Sequence, residues 1–147
     1  DATPVEPAEF APPRGIFVLG SLPGTGPVCC GGWRRHEDAT INDADRGVLR
    51  PGDAEIKRMW VDPAYRRRGL ATAVLAELER TAAAAGCARV VLETGRAQPE
   101  ALAFYRAAGY RELPGFGTYR DAPGSVCFAR EQHPGRAPRA PSPKEVR

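Results

Sequence analysis

Residues 61–71 read VDPAYRRRGLA and join a predicted strand to a predicted helix. The strand covers residues 54–61 and stops before Pro63, and the helix covers residues 70–85. At such a junction several backbone N–H groups and the positive end of the helix dipole point at one place. That place binds anions, most often phosphate, and Gly69 lets a ligand approach the backbone closely. The sequence therefore predicts an anion site at residues 66–71.

Hydrophobic periodicity and turn residues predict the elements on either side of this junction. Before it, two strands form a hairpin; after it, strands and a helix alternate. The predicted strands are residues 15–20, 28–35, 89–94, 110–113 (in one alternative continuing to 119) and 125–129, and the second helix is residues 100–108. This order implies an α/β (α+β) chain with flanking helices and a mixed sheet. We expect parallel pairing where the helices cross over and antiparallel pairing at the ends.

Length and charge limit the classes of function. The chain has 147 residues, enough for one domain, which we place at residues 15–130 between an extended segment (1–14) and a disordered Pro/Arg-rich tail (131–147). No apolar run has the length of a membrane span, and no signal-peptide pattern is visible. The net charge is +3, of which the tail carries +2, so the body is nearly neutral. We therefore expect neither a nucleic acid nor a membrane as partner.

Cysteine and histidine usage gives no support for a metal site. The residues concerned are Cys29, Cys30, Cys87, Cys127, His36 and His133. The cysteines have no C-x-x-C spacing, so we expect no zinc and no other metal. They are predicted to be small packing residues in a reducing compartment, which indicates a cytoplasmic protein.

Two familiar phosphate-binding motifs are excluded at the junction. A Walker loop requires Gly-Lys followed by Ser or Thr, and no glycine precedes such a pair here. A dinucleotide fingerprint requires G-x-G-x-x-G, and no second glycine follows Gly69 two residues on. The pattern that is present is Arg66-x-x-Gly69-x-Ala71.

This pattern resembles the acyl-coenzyme A binding motif of the GNAT family of N-acetyltransferases. Residues 55–61, EIKRMWV, are similar to the central strand of that family. Residues 101–110, ALAFYRAAGY, are similar to its later helix-turn-strand, A-x-x-x-Y-x-x-x-G-[FY]. The three blocks occur in order and at the right spacing. The resemblance implies the acyl-CoA N-acyltransferase (GNAT) fold, with a mostly antiparallel sheet, and acetyl-CoA as co-substrate.

The resemblance also implies which residues bind coenzyme A. Backbone N–H groups of the turn would hold the pyrophosphate, and the arginine side chains would add charge-assisted contacts. The pantetheine arm would insert beside the central strand like an extra strand, using its main chain. Gln98 is the nearest amide to a position where family members often carry Asn. The implied residues are Met59, Trp60, Val61, Arg66, Arg67, Arg68, Gly69, Leu70, Ala71, Thr72 and Gln98.

Two positions are candidates for catalysis. By the resemblance, Tyr105 would supply a proton or a hydrogen bond to the leaving thiolate, although an aromatic on an amphipathic helix also packs in a core. Glu55 is a candidate general base, with Glu93 as a weaker one. Period-two alternation places Glu55, Lys57 and Met59 on one strand face. Glu55 could instead be ion-paired with Lys57.

One departure concerns the acceptor side. Family members open with a strand and one or two helices that build a substrate wall, and residues 1–14 leave no room for them. Either the chain lacks its beginning or the amine site is more open than usual. We expect direct acetyl transfer to a primary amine, of a small molecule or a peptide, within a ternary complex. The alternatives are a non-catalytic acyl-CoA sensor or partner-binding module and, more remotely, a nucleic-acid binder. A homodimer is one option for assembly.

Overall fold

The computed structural model describes residues 7–133, which form one sheet with two helices. All six strands and both helices that the sequence predicts are present, with ends shifted by a few residues. The strands are β1 (Gly15–Leu22), β2 (Gly26–Arg35), β3 (Ala54–Val61), β4 (Arg89–Gly95), β5 (Arg111–Leu113) and β6 (Ser125–Glu131), and the helices are α1 (Leu70–Ala84) and α2 (Pro99–Ala107).

The sheet is mixed and mostly antiparallel, as predicted. Its strand order is β1-β2-β3-β4-β6-β5, and β3 and β4 form its parallel pair. The connection through α1 therefore joins two neighbouring parallel strands, as expected. The connection through α2 does not join parallel neighbours, because β6 lies between β4 and β5 and pairs antiparallel with both.

One face of the sheet, here called the helix face, is covered by α1 and α2. The buried residues of α1 recur at helical spacing and include Val74, Leu75 and Leu78. They pack against Ile56 of β3 and other buried side chains of the sheet. A left-handed Gly86 follows the end of α1, where a side chain would be strained.

The opposite face, here called the loop face, is covered by two connections. Residues 36–52 contribute Ile41 and Leu49, and the segment after β5 contributes Phe116. These side chains form one buried cluster with Val91 and Cys127 of the sheet. The alternative in which β5 continues to residue 119 is wrong. The strand ends at Leu113, since Pro114 has no N–H to donate to a ladder and Phe116 turns into the loop-face core.

The N-terminal segment departs from its prediction where it is described. Pro7–Phe10 forms a short 3-10 helix rather than extended chain. Two side-chain contacts hold it against the sheet: Arg34 donates a hydrogen bond to the Glu9 carboxylate at 2.6 Å, and the Phe10 ring contacts the Phe17 ring edge-on. Residues 1–6 and, within the predicted disordered tail, residues 134–147 lie outside the described part of the chain.

All four cysteines and both helices lie within residues 7–133. All four cysteines are free thiols, and Cys29, Cys87 and Cys127 are buried, as predicted for packing residues. Neither of the two helices has the length and apolarity needed to cross a membrane.

A buried ion pair joins the starts of the two parallel strands. Asp53 directly precedes β3, and Arg89 is the first residue of β4. Arg89 donates to both carboxylate oxygens of Asp53, at 3.0 and 2.7 Å, and to the carbonyl of Val48 at 2.6 Å. Both side chains are at most 5% exposed. The pair thus fixes β3 beside β4 and fastens residues 36–52 to the sheet.

Replacing Arg89 tests this ion pair. Arg89→Ala leaves the Asp53 carboxylate buried without its cation, so we expect a loss of about 3–5 kcal/mol of unfolding free energy. Urea denaturation followed by circular dichroism measures it. Arg46→Ala is the control, since Arg46 pairs with exposed carboxylates and its loss should hardly move the urea midpoint. Equal midpoints for the two variants would contradict a structural role for the Asp53–Arg89 pair.

Candidate active site

The parallel strands β3 and β4 separate after a short paired stretch. They pair only at Ala54 with Val90 and at Glu55 with Val91, although β3 has 8 residues and β4 has 7. Beyond Glu55 the strands diverge, which leaves a V-shaped gap in the middle of the sheet. The edge of β3 that faces this gap can accept an extended ligand as an additional strand.

A β-bulge lies in β3 beside this gap. Cys30 of β2 pairs with Trp60, and Gly32 pairs with Lys57. An advance of two residues along β2 thus matches an advance of three residues along β3, so β3 carries one extra residue. Arg58, inside the bulge, has a φ of 62°, which is strained for a residue other than glycine. The extra residue reverses the alternation of side chains. Bulges of this kind often occur next to active sites.

The bulge corrects the prediction that Glu55, Lys57 and Met59 share a face. Met59 packs in the helix-face core, whereas Glu55 and Lys57 border a pocket on the loop face. Strict alternation holds only for a strand without an inserted residue. The side chain of the candidate base Glu55 and that of Met59, in the segment predicted to pair with the pantetheine arm, therefore lie on opposite sides of the sheet.

The turn that follows β3 exposes backbone N–H groups. Asp62 accepts a hydrogen bond from the Ala64 amide at 2.9 Å and starts a 3-10 turn. Arg67 and Gly69 are both left-handed, with φ of 64° and 78°. The first backbone bond of α1 runs from Ala73 to Gly69, so the amides of residues 70–72 have no partner within the helix. Amides left unpaired in this way at a helix start can bind an anion.

The side chains of the three arginines in the turn lie in different places. Arg66 and Arg67 border the cleft beside the gap, whereas the Arg68 guanidinium lies 5.1 Å over the Tyr65 ring and does not border it. Arg67 approaches Glu100 at 4.0 Å, with both side chains at least 90% exposed. Because that pair is solvated, it contributes little stability. Arg66 and Arg67 are therefore the two arginines of the turn that border the cleft.

The cleft on this side, here called the splay cleft, has a volume of about 1070 Å³. Of the 11 residues predicted to bind coenzyme A, only Arg68 lies outside the lining, and Tyr105 also borders the cleft. The sequence did not single out several other lining residues, because their positions depend on how α2 and β4 pack. Together the lining comprises Met59, Trp60, Val61, Tyr65, Arg66, Arg67, Gly69, Leu70, Ala71, Thr72, Thr94, Gln98, Pro99, Glu100, Ala101, Phe104 and Tyr105.

Tyr105 on α2 borders the splay cleft opposite the bulge. Its hydroxyl lies 3.7 Å from the Met59 sulfur, and its ring contacts Phe104, Tyr110 and Phe128. Burial raises the pKa of Tyr105 to about 12. The phenol therefore remains protonated across the physiological range. The same side chain is both a packing aromatic and a hydroxyl at the cleft.

A second cavity, here called the loop-face pocket, has a volume of about 110 Å³ and lies on the other side of the sheet. Glu55 borders it and is 5% exposed. The carboxylate contacts His36 Nε2 at 2.7 Å, Lys57 Nζ at 3.2 Å and Arg34 at 3.4 Å. The ion pair with Lys57 that the sequence left open is thus present. Sequence reasoning missed His36 and Arg34, which come from β2 and the residue after it.

These contacts make Glu55 a weak base. Burial alone would raise the pKa of Glu55, but the hydrogen bond with His36 and the charges of Lys57, His36 and Arg34 outweigh burial and lower it to about 2. A carboxylate that holds its negative charge so firmly has little tendency to accept a proton. Glu55 is better described as the centre of a buried ion network.

Comparison with known proteins identifies similar sequences. The family model described as Acetyltransferase (GNAT) family matches residues 6–110. An IAA acetyltransferase of Azospirillum brasilense is 37% identical over 79 residues, or 54% of this chain and 52% of that protein. The chain therefore spans about half the length of that curated relative.

Solved structures share the architecture. A protein from Klebsiella pneumoniae that is described as an acyl-CoA N-acyltransferase has a TM-score of 0.68 and 28% identity, covering 86% of this chain and 79% of that chain. The PaiA N-acetyltransferase of Thermoplasma acidophilum, solved in complex with coenzyme A, has a TM-score of 0.61 and 14% identity, covering 81% of this chain and 62% of that chain. The fold predicted by resemblance is confirmed.

The ion network predicts a pH-dependent effect of Glu55→Gln. The folded pKa of about 2 lies below the ordinary value of 4.5, so the charge of Glu55 stabilises the fold above pH 4.5 and loses this effect as the pH falls towards 2. We expect the variant to lose about 3 kcal/mol at pH 7 and roughly half of that at pH 3. Urea denaturation at both pH values measures the difference from wild type.

Glu112→Gln is the matched control, because Glu112 is a glutamate whose side chain is 47% exposed. Its effect should be small and nearly independent of pH. A Glu55→Gln difference that does not shrink between pH 7 and pH 3 would show that the charge of Glu55 is not what stabilises the fold.

Proposed function

The chain belongs to the acetyltransferase (GNAT) family, and we propose that it transfers the acetyl group of acetyl-CoA to a primary amine. The observation that carries the proposal is the splay cleft, where an open strand edge, a turn rich in exposed amides and Tyr105 meet. A cytoplasmic location is part of the proposal, because all four cysteines are free thiols.

The donor half of the reaction is assigned to the splay cleft. The turn amides of residues 67–72 would hold the pyrophosphate, and Arg66 and Arg67 would add charge-assisted contacts. The main chain of residues 59–61 would pair with the pantetheine arm along the open edge of β3. Gln98, which borders the cleft at the start of α2, offers a side-chain amide to it. Bound acetyl-CoA would supply an activated thioester carbonyl.

Tyr105 is assigned to the leaving group. Because its phenol stays protonated at neutral pH, it can donate a hydrogen bond to the sulfur as negative charge develops there. Its position beside Met59 and the bulge would place the hydroxyl near the reacting bond. The buried ring holds the hydroxyl oxygen at this place.

The acceptor is assigned to the loop-face pocket. An amine there would reach the thioester through the gap between β3 and β4, from the side opposite to the donor. None of the described residues bordering the two cavities is a cysteine, which favours direct attack in a ternary complex over a thioester on the enzyme. The acceptor is a small-molecule or peptide amine.

The test is a panel assay of acetyl-CoA with polyamines, amino acids, aminoglycosides and lysine peptides. IAA joins the panel because a relative is described as an IAA acetyltransferase. Release of free coenzyme A together with an acetylated product, seen by mass spectrometry, supports the proposal. Tight binding of coenzyme A without turnover of any acceptor would support the alternative, a non-catalytic acyl-CoA sensor with the same fold.

Gly69→Val tests the phosphate site. A β-branched residue is strained at the φ of 78° and would shift the turn amides, so we expect at least a tenfold rise in the Kd of coenzyme A. Isothermal titration calorimetry measures it. Gly24→Val is the matched control: its φ is 75°, it imposes similar strain, and it lies in the β1–β2 hairpin outside the cleft. If both variants bind coenzyme A alike, the turn does not hold the pyrophosphate.

Tyr105→Phe tests the role of the hydroxyl. Removing it should lower kcat about 100-fold, a typical contribution of a general acid, while the Kd of coenzyme A changes less than about twofold. Steady-state thiol release and calorimetry give the two numbers. Tyr119→Phe, at a tyrosine that is 38% exposed, is the control and should match wild type. An unchanged kcat in Tyr105→Phe would leave Tyr105 as a packing residue.

A further inference from the structure

Three large apolar side chains are exposed on the first three strands: Phe17, Leu19 and Trp60. Their exposed fractions are 43%, 64% and 48%. Residues 36–52 and the segment after β5 pack over β4 and β6 instead, so within residues 7–133 these three side chains stay open to water. Single exposed apolar residues are common on protein surfaces, whereas a contiguous group of them marks a binding site.

The strand register makes the three side chains contiguous. They belong to two neighbouring cross-strand rows, and directly paired residues place their side chains on the same face of a sheet. The rows are Leu19–Cys30–Trp60 and Phe17–Gly32–Lys57. These six residues are here called the apolar strip. With adjacent strands about 4.8 Å apart, the strip is about 10 Å long from β3 to the sheet edge. Its charged member, Lys57, is buried and bonded to Glu55.

The packing of neighbouring residues shows which face carries the strip. Met59 and Val61 pack in the helix-face core, so Trp60 between them points to the loop face. Val18 packs in the same core, so its two neighbours on β1 also point to the loop face. The strip therefore lies on the side of the sheet from which the acceptor is proposed to approach.

The strip adjoins both the gap and the loop-face pocket. Trp60 lies beyond Glu55, the last residue of β3 that pairs with β4, and it also borders the splay cleft. It thus stands at the gap, where the two faces of the sheet meet. In the other row, Lys57 borders the loop-face pocket. A group lying on the strip would be continuous with an amine held at the gap.

The loop-face pocket is too small to enclose a large acceptor. Its volume of about 110 Å³ is smaller than the engineered cavity of about 150 Å³ that holds benzene. The pocket can take the amine end of an acceptor, and the rest must lie outside it. The strip offers that part a surface of aromatic and aliphatic side chains, on which a ring packs well. A second ammonium or a sugar hydroxyl would lose water there without gaining a partner.

We infer that the apolar strip binds the apolar part of the acceptor and selects primary amines that carry an aromatic ring a few bonds from the nitrogen. The inference rests on the proposed function, because the strip is placed relative to the proposed acceptor pocket. Phe17, Leu19 and the Trp60 side chain then determine specificity and take no part in the bond changes.

Leu19→Thr tests the strip with two probes, 2-phenylethylamine and ethylamine. Both carry the same reacting group, but only the first reaches the strip. Threonine suits an exposed strand position and removes apolar contact area. We expect wild type to prefer 2-phenylethylamine about 100-fold in kcat/KM and Leu19→Thr to lower this preference about fivefold, with ethylamine unaffected. Leu19→Met keeps an apolar side chain and is the matched control, which should retain the preference.

Iodide quenching of tryptophan fluorescence gives a readout that needs no turnover. The chain has two tryptophans, of which Trp33 is buried and Trp60 is exposed, so iodide mainly quenches Trp60. On coenzyme A-loaded protein, 2-phenylethylammonium should protect Trp60 at concentrations at which ethylammonium has no effect. Leu19→Thr should need about fivefold more of it for the same protection.

The outcomes separate the two proposals. If wild type acetylates both amines without preference, or if Leu19→Thr keeps the full preference, the role of the strip is wrong and acetyl transfer stands. If neither amine is acetylated, acetyl transfer to these amines fails and quenching decides the strip: protection that Leu19→Thr weakens supports it, and no protection overturns it. Sedimentation velocity tests the other occupant. A wild-type dimer that Leu19→Thr dissociates would make the strip a contact between two copies and overturn the inference.

Discussion

A buried ion pair fixes one end of the gap on which the rest of the site depends. Asp53 and Arg89 bond through two contacts of 3.0 and 2.7 Å at the starts of β3 and β4. Held together there, the strands can part after Glu55 without detaching β4 from the sheet, since β6 pairs with β4 along its whole length. The gap is therefore a stable feature in the middle of a sheet, bordered by backbone that can still form hydrogen bonds.

The gap also separates two environments. On the helix face lies a cleft of about 1070 Å³ with a turn of exposed amides, and on the loop face lies a pocket of about 110 Å³ bordered by charged groups. The bulge at Arg58 maintains this separation, because it turns Met59 to the helix face while Glu55 and Lys57 stay on the loop face. A large anionic donor and a small cationic acceptor would thus approach the same gap from opposite sides.

The sequence predicted the parts of this arrangement that depend on local signals. Both helices, the six strands and the Gly69 turn follow from periodicity, from Pro99 and from glycines at fixed places. The insertion of a ligand beside the central strand was expected only from the resemblance, since nothing in the strand sequences marks where the pairing of β3 with β4 stops. The bulge was missed because it is a relation between β3 and β2, and so was the ion network, because Arg34 and His36 reach Glu55 from another strand. The position of β6 between β4 and β5 is likewise a tertiary choice that no local pattern records.

In the proposed reaction the donor binds along the open edge of β3 and on the turn that follows it. Hydrogen–deuterium exchange with and without saturating coenzyme A tests this claim directly. We expect slowed exchange in peptides covering residues 59–61 and 66–72, with little change in residues 36–52 on the loop face. Protection confined to the loop face, or none in residues 66–72 at saturation, would contradict it.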